Sequence, residues 1–276
     1  MPTSIAHYRE AGDGAGIVCI HGSASSSGQW RPLMNRLSSR FHVIAPDLYG
    51  HGHTPAWPEG RRMCVDDEVD LLQPAFGLAG DRFHLIGHSW GGAIALKAAL
   101  RLRPRLESLT LFEPALWSLF VAEDPSDPAA LEITVVSEET ERFMDRADFE
   151  AAAECFVDYW IGSGTWKLTP HTRRSAFVDG MHSARSEWHA SFGEPTPLAA
   201  FAAVDVPTLL LTGSRSPAPA RAITELIRSV LPRVRVVELE AVGHMGPITH
   251  PELVNDAIES FLLGLASTFI AAPFFL

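Results

Sequence analysis

Three short stretches carry residues able to do covalent chemistry together. The first, LIGHSWGGA at 85–93, sets Ser89 between Gly87 and Gly91 in a Gly-x-Ser-x-Gly pattern. An apolar strand-like run precedes it and a helix-like run follows, the context in which the pattern presents a nucleophile on a sharp turn. The following helix would point its first N–H groups back at the serine and favour developing negative charge. A serine hydroxyl is a poor nucleophile without a base. Of the twelve histidines, His244 is the candidate, because it lies in AVGHMGPITHPE just after a strand-like run and before a helix. His250 reads instead as a helix-start residue, and His88 as a packing residue pointing away from the chemistry. A third group must hold the base in the correct tautomer. Glu113 ends the apolar run SLTLF, where a carboxylate is costly to bury unless something pairs with it. Pairing with His244 would give the chain order Ser89, Glu113, His244. A local hydrogen bond or salt bridge at Glu113, another acid nearby, or a water-supported pair of Ser89 and His244 are the alternatives.

Holding these residues together requires a rigid scaffold. Strand-like segments (GIVCI, FHVIAP, DRFHLIGH, RLESLTLF, VPTLLLTG, VRVVELE) alternate with helix-like ones (GQWRPLMNRLSSR, VDDEVDLLQPAFGLA, GAIALKAALRLRP, PARAITELIRSVLP, HPELVNDAIESFLLGL). The alternation predicts a mostly parallel central sheet with helices on both faces, which binds ligands at the carboxyl ends of its strands. Residues 115–200 break the rhythm. They look helical and aromatic-rich, and predict a helical cap inserted into a core made of residues 1–114 and 201–276. Trp117, Tyr159, Trp160 and Trp188 are the candidate lining of an apolar substrate pocket there.

Composition narrows the partners. A chain of 276 residues with 46% hydrophobic and 20% charged residues suits one sizeable soluble domain with an insertion. A formal net charge of −11 argues against a nucleic-acid partner. Cys19, Cys64 and Cys155 fit no zinc spacing and read as reduced, structural thiols. No metal is expected, and no phosphate-binding glycine loop implies a nucleotide. The N-terminus shows no basic-then-apolar leader, so a cytoplasmic location is the expectation. The C-terminal FLLGLASTFIAAPFFL carries no charge after Glu259 and is interrupted by Pro273. It is short for a membrane span. The expectation is a last helix and a tail packed on the body or on a second copy, making a homodimer, and not a membrane segment.

Taken together, HGSASS at 21–26, DLYGHGHT at 47–54, GHSWGG at 87–92 and VGHMGPITHPE at 242–252 resemble the α/β-hydrolase superfamily over nearly the whole chain. The resemblance implies the α/β-hydrolase fold, a cap near 115–200 and no cofactor. It also implies an oxyanion hole from the backbone N–H groups of Ser23 and Trp90. One departure matters. Many members carry their acid after the strand written here PTLLLTG, yet the following residues are Ser214, Arg215 and Ser216, with Ser216 in the aspartate's place. A minority, including haloalkane dehalogenases, place the acid after the strand that follows the nucleophile, which is the position of Glu113. The expected activity is hydrolysis of a carboxylic ester or related acyl bond of a small, apolar or aromatic substrate through an acyl-enzyme. Carbon–carbon bond hydrolysis, lactone opening or peracid formation would use the same residues, and a small-ligand receptor would bind without turnover.

Overall fold

The computed structural model describes residues 5–58 and 60–270, with side chains as far as 265. Seven strands form one sheet: β1 (Tyr8–Ala11), β2 (Ala15–Ile20), β3 (Phe41–Pro46), β4 (Phe83–His88), β5 (Leu106–Phe112), β6 (Thr208–Gly213) and β7 (Val234–Leu239). Their spatial order is β1-β3-β2-β4-β5-β6-β7. Only β1 runs antiparallel, against β3; every other pair is parallel. The central strands β4 and β6 are buried at every position, as strands covered on both faces must be.

Each face has its own helices. On one face lie α1 (Arg31–Leu37) and α12 (Pro251–Ile270), whose Leu33, Met34, Leu37, Val254, Ile258 and Leu262 pack on Ile17, Val43 and Leu211. On the other lie α2 (Val65–Leu71), α3 (Gln73–Leu78), α4 (Trp90–Leu102) and α10 (Ala218–Arg228). The sequence suggests one helix over 65–79; the structure has two, because Pro74 opens a second at the Leu72 junction. In α10 the buried residues Ala220, Ile223, Thr224 and Ile227 recur at helical spacing, so only one side meets the sheet.

Between β5 and β6 the chain forms α5 (Ser118–Glu123), α6 (Pro128–Asp145), α7 (Phe149–Trp160), α8 (Thr165–Leu168) and α9 (His171–Phe192), with no strand among the described residues. Its apolar residues Ile133, Phe156, Trp160 and Trp188 join the core of the α4 face. A last short helix, α11 (Gly246–Thr249), precedes α12. The three cysteines are free thiols, and burial pushes the Cys19 thiol pKa up. No helix of the described residues is long and apolar enough to cross a membrane. The end of the apolar tail, from 271 onward, lies outside the described residues.

Candidate active site

Strand register brings the predicted residues together. In the β4–β5 pairing His88 stands opposite Phe112, so Ser89 and Glu113 each come one residue after paired strand ends. Both turn sharply: Ser89 has φ 53° and ψ −119°, and Glu113 has φ 44°. Such conformations cost about 1–3 kcal/mol each and persist only where the surroundings enforce them. Here they do. The Ser89 N–H donates to the Phe112 carbonyl (2.9 Å), the Ala115 N–H to the Ser89 carbonyl (2.9 Å), and the Glu113 N–H to the Leu211 carbonyl (3.1 Å). The helix α4 also crosses close to β2. A side chain at Gly91 would begin 2.3 Å from the His21 carbonyl oxygen, so glycine is required by that approach.

His244 arrives from the loop after β7. Its Nε2 lies 2.9 Å from Ser89 Oγ and its Nδ1 lies 2.7 Å from Glu113 Oε2. A carboxylate only accepts, so Nδ1 carries the proton and donates it to Glu113. That leaves Nε2 free to accept from the Ser89 hydroxyl. The other carboxylate oxygen, Oε1, accepts from the Thr212 hydroxyl (2.7 Å) and the Gly213 N–H (2.8 Å) at the end of β6. Burial alone would raise the Glu113 pKa, but the hydrogen bond and charge of His244 and the donors of β6 outweigh it, and the net shift is downward. Ser216 stands beside the same carboxylate, outside good hydrogen-bond geometry. Glu113 thus reaches across β6 to the neighbourhood from which an acid after that strand would act.

Besides the Thr212 and Gly213 contacts, two more were not legible in the sequence. His88 does not point away: its Nε2–H donates to the His244 carbonyl (2.9 Å), and its ring packs edge-on against Phe112. Burial drives its pKa well down, and the ring fixes the backbone of His244. Trp160 lies over the His244 ring, centroid to centroid 4.2 Å, and covers it. His244 is accordingly 1% exposed. Neither pairing has a local sequence signal, because each joins elements far apart in the chain.

A small cavity opens above Ser89. Ser23, Trp90, Trp117, Trp160 and Trp188 line it, together with Ala115, Phe156, Glu187 and Ser191. Tyr159 does not line it, contrary to expectation. On α7 the inward position belongs to Trp160, and Tyr159, one residue earlier, turns its hydroxyl to Glu132 (2.8 Å). Trp90 is the first residue of α4, so its N–H has no partner within the helix. The free volume is about 20 Å³, roughly what one water needs. Ser191 Oγ accepts from the Trp117 N–H and donates to the Ala115 carbonyl, tying α9 to the turn after Glu113. In the DLYGHGHT loop, Asp47 accepts from the N–H groups of Ser27 and His53, a structural role. Among the described residues no cluster of side chains is arranged to hold a metal ion.

A mostly parallel sheet covered on both faces, with a sharp turn at Ser89 after its central strand, is the architecture of a hydrolase enzyme of the α/β type. The chain belongs to the Alpha/beta hydrolase family, whose profile matches residues 17–257. Among its relatives, the (E)-2-((N-methylformamido)methylene)succinate hydrolase of Acinetobacter baylyi is 24% identical over 262 residues, covering 93% of this chain and 94% of that protein. Carboxylesterase YbfK of Bacillus subtilis is 24% identical over 258 residues, covering 91% of this chain and 81% of that protein. The fold matches a thermophilic esterase from Thermogutta terrifontis with a TM-score of 0.74 at 22% identity, over 94% of this chain and 93% of that one.

Proposed function

We propose that the protein is a serine hydrolase that cleaves a carboxylic ester or related acyl bond of a small substrate through an acyl-enzyme. One observation carries the reading: Ser89 Oγ, His244 and Glu113 are joined in line by contacts of 2.9 Å and 2.7 Å. In this reading His244 Nε2 takes the Ser89 proton as Oγ attacks the carbonyl carbon. Glu113 stabilises the resulting imidazolium. The N–H groups of Ser23 and Trp90 receive the oxyanion. His244 then gives its proton to the leaving alkoxide, and the alcohol departs. Water, deprotonated by His244, next attacks the acyl-enzyme and releases the acid and free Ser89. Residues 115–200 act as a cap that excludes water, with Trp117, Trp160 and Trp188 against the acyl or alcohol group. The substrate is a small molecule, and no cofactor enters any step. The carboxylesterase among the relatives supports an ester as the bond broken.

The test is hydrolysis of p-nitrophenyl esters of increasing acyl length by the intact protein and by Ser89→Ala. The expected result is turnover that falls by about 10³-fold or more in the variant, with the preferred length sizing the pocket. Turnover that survives the substitution overturns the assignment of Ser89. Absence of turnover by the intact protein on every ester overturns ester cleavage and favours carbon–carbon or lactone substrates on the same residues.

A further inference from the structure

Among the described residues lining the cavity that Ser89 opens into, Glu187 is the only ionisable side chain. It lies on α9, is 3% exposed, and sits among Trp90, Trp117, Phe156, Trp160 and Trp188. One of its oxygens, Oε1, is 2.5 Å from His51 Nε2. The other, Oε2, is buried and has no hydrogen-bond partner. A buried acceptor left unpaired is costly, and native structures seldom keep one without a use.

Of the surrounding groups, His21 and Ser191 are already committed, whereas Glu68 Oε1 and Trp90 Nε1 are, like Glu187 Oε2, buried without a hydrogen-bond partner. His21 stacks edge-on against His51 at 5.2 Å. Its Nδ1–H donates to the Gly22 carbonyl (2.7 Å) and its Nε2 accepts from the Leu48 N–H (3.1 Å). The Ser191 hydroxyl in the same lining both donates and accepts within the protein. Tying α9 to the core through His51 would need one oxygen of Glu187. The second oxygen makes no hydrogen bond within the fold, and it belongs to a residue of the wall that faces the reacting serine.

We propose that Glu187 is the polar anchor of the substrate site, its Oε2 accepting a hydrogen bond from a hydroxyl or N–H that the substrate carries away from its scissile carbonyl. The substrate class is then an apolar or aromatic acyl compound with one internal hydrogen-bond donor, not a plain hydrocarbon ester. This rests on the acyl-transfer reading of Ser89 for the bond that is cleaved, but not for the binding contact itself.

The test separates the two. Ser89→Ala is expected to bind intact p-nitrophenyl esters without cleaving them, and quenching of the cavity tryptophans by the nitrophenyl group reads Kd by fluorescence. Three ester series of matched length are titrated, ending in a methyl group, a hydroxyl or a methyl ketone. The hydroxyl series donates; the ketone only accepts. At one chain length or more, the hydroxyl ester is expected to bind about tenfold more tightly than the other two. Adding Glu187→Gln keeps an acceptor for His51 but turns an N–H₂ toward the cavity. The hydroxyl-to-ketone ratio is then expected to fall to about one, because Gln donates to the ketone. Glu187→Leu should bring the hydroxyl and methyl esters to equal affinity. A purely structural Glu187 would weaken all three series together and leave the ratios unmoved. Equal binding of the three series to Ser89→Ala, no binding of any, or ratios unchanged by Glu187→Gln overturns the anchor. The same esters are run in parallel with Ser89 intact. Discrimination in binding without any turnover overturns the acyl-transfer reading and leaves the anchor standing, whereas turnover without discrimination does the reverse.

Discussion

At the residue scale, the question raised by a carboxylate at the end of a buried strand is resolved by what its two oxygens touch. Oε2 of Glu113 holds His244, and Oε1 is held by Thr212 and Gly213. Neutralising it removes the acceptor that fixes the His244 tautomer, so Glu113→Gln should lower kcat by roughly 10³–10⁴-fold with KM little changed, by analogy with neutralising a triad acid elsewhere. Steady-state kinetics on the best p-nitrophenyl ester would show it; a loss below tenfold means another group orients the base. Because Ser216 stands beside that carboxylate, a second acid there should substitute for the first. Glu113→Gln with Ser216→Asp should recover tenfold or more of the lost kcat, while Ser216→Asp alone should reduce activity by crowding two like charges. No recovery in the double variant would show that the β6 end no longer reaches His244. Ser89, His244 and Glu113 were legible because each combines a reactive residue type with a position just after an apolar strand. Thr212, Gly213 and His88 were not, since their roles depend on which strands are neighbours, and strand order is not written in any local pattern.

Whole elements explain what residue types alone concealed. The helical character of 115–200 follows from its composition, but which side of each helix faces the cavity does not. On α7 the aromatic pair Tyr159 and Trp160 looks equivalent in sequence, yet successive helical residues diverge by about 100° and only Trp160 reaches His244. On α9 the buried residues are Gly180, Met181, Ala184, Glu187, Trp188, Ala190 and Ser191, and all but Ala190 recur at helical spacing. A glycine, a glutamate and a serine in that stripe hide it from any reading by hydropathy. Gly180 is where α9 touches the turn that carries the proposed oxyanion donor: a side chain there would start 2.7 Å from Ala24 Cα, itself at φ 51°. Gly180→Ala must therefore push the helix or the turn outward. The expected result is a loss of about tenfold or more in kcat/KM, carried mainly by kcat, since donors aimed at the oxyanion act in the transition state. Stability should fall by about 1–3 kcal/mol, the usual range for overpacking, as read from urea denaturation. Unaltered kcat with the same loss of stability would show that α9 and the Ser23 turn are not coupled.

On the scale of the molecule, the carboxyl ends of β4, β5, β6 and the loop after β7 converge on one point, and the helices between β5 and β6 close over it. That closure buries charge-bearing groups, with a measurable consequence for the whole fold. Glu68 on α2 is fully buried, near Glu187 and the Tyr49 N–H. Burial first, and then the charge of Glu187, push its pKa from an ordinary 4.5 up to about 8. In the unfolded chain the same carboxyl would lose its proton near 4.5. Between those two values the folded state holds a proton that the unfolded state has released, so its contribution is complete below about pH 4.5 and declines as pH rises to about 8. Glu113 and Asp47, with pKa values held down, act in the opposite sense: their contributions are present above the ordinary carboxylate range and are lost as pH falls through their lowered values. Stability should accordingly peak at mildly acidic pH. Glu68→Gln removes one side of this balance while keeping an acceptor for the Tyr49 N–H. Its stability relative to the natural sequence should rise with pH at up to ~1.4 kcal/mol per pH unit and level off above about pH 8. Urea denaturation of both proteins from about pH 5 to about pH 9 measures that difference. A difference independent of pH would show that Glu68 folds without its proton and overturn its raised pKa.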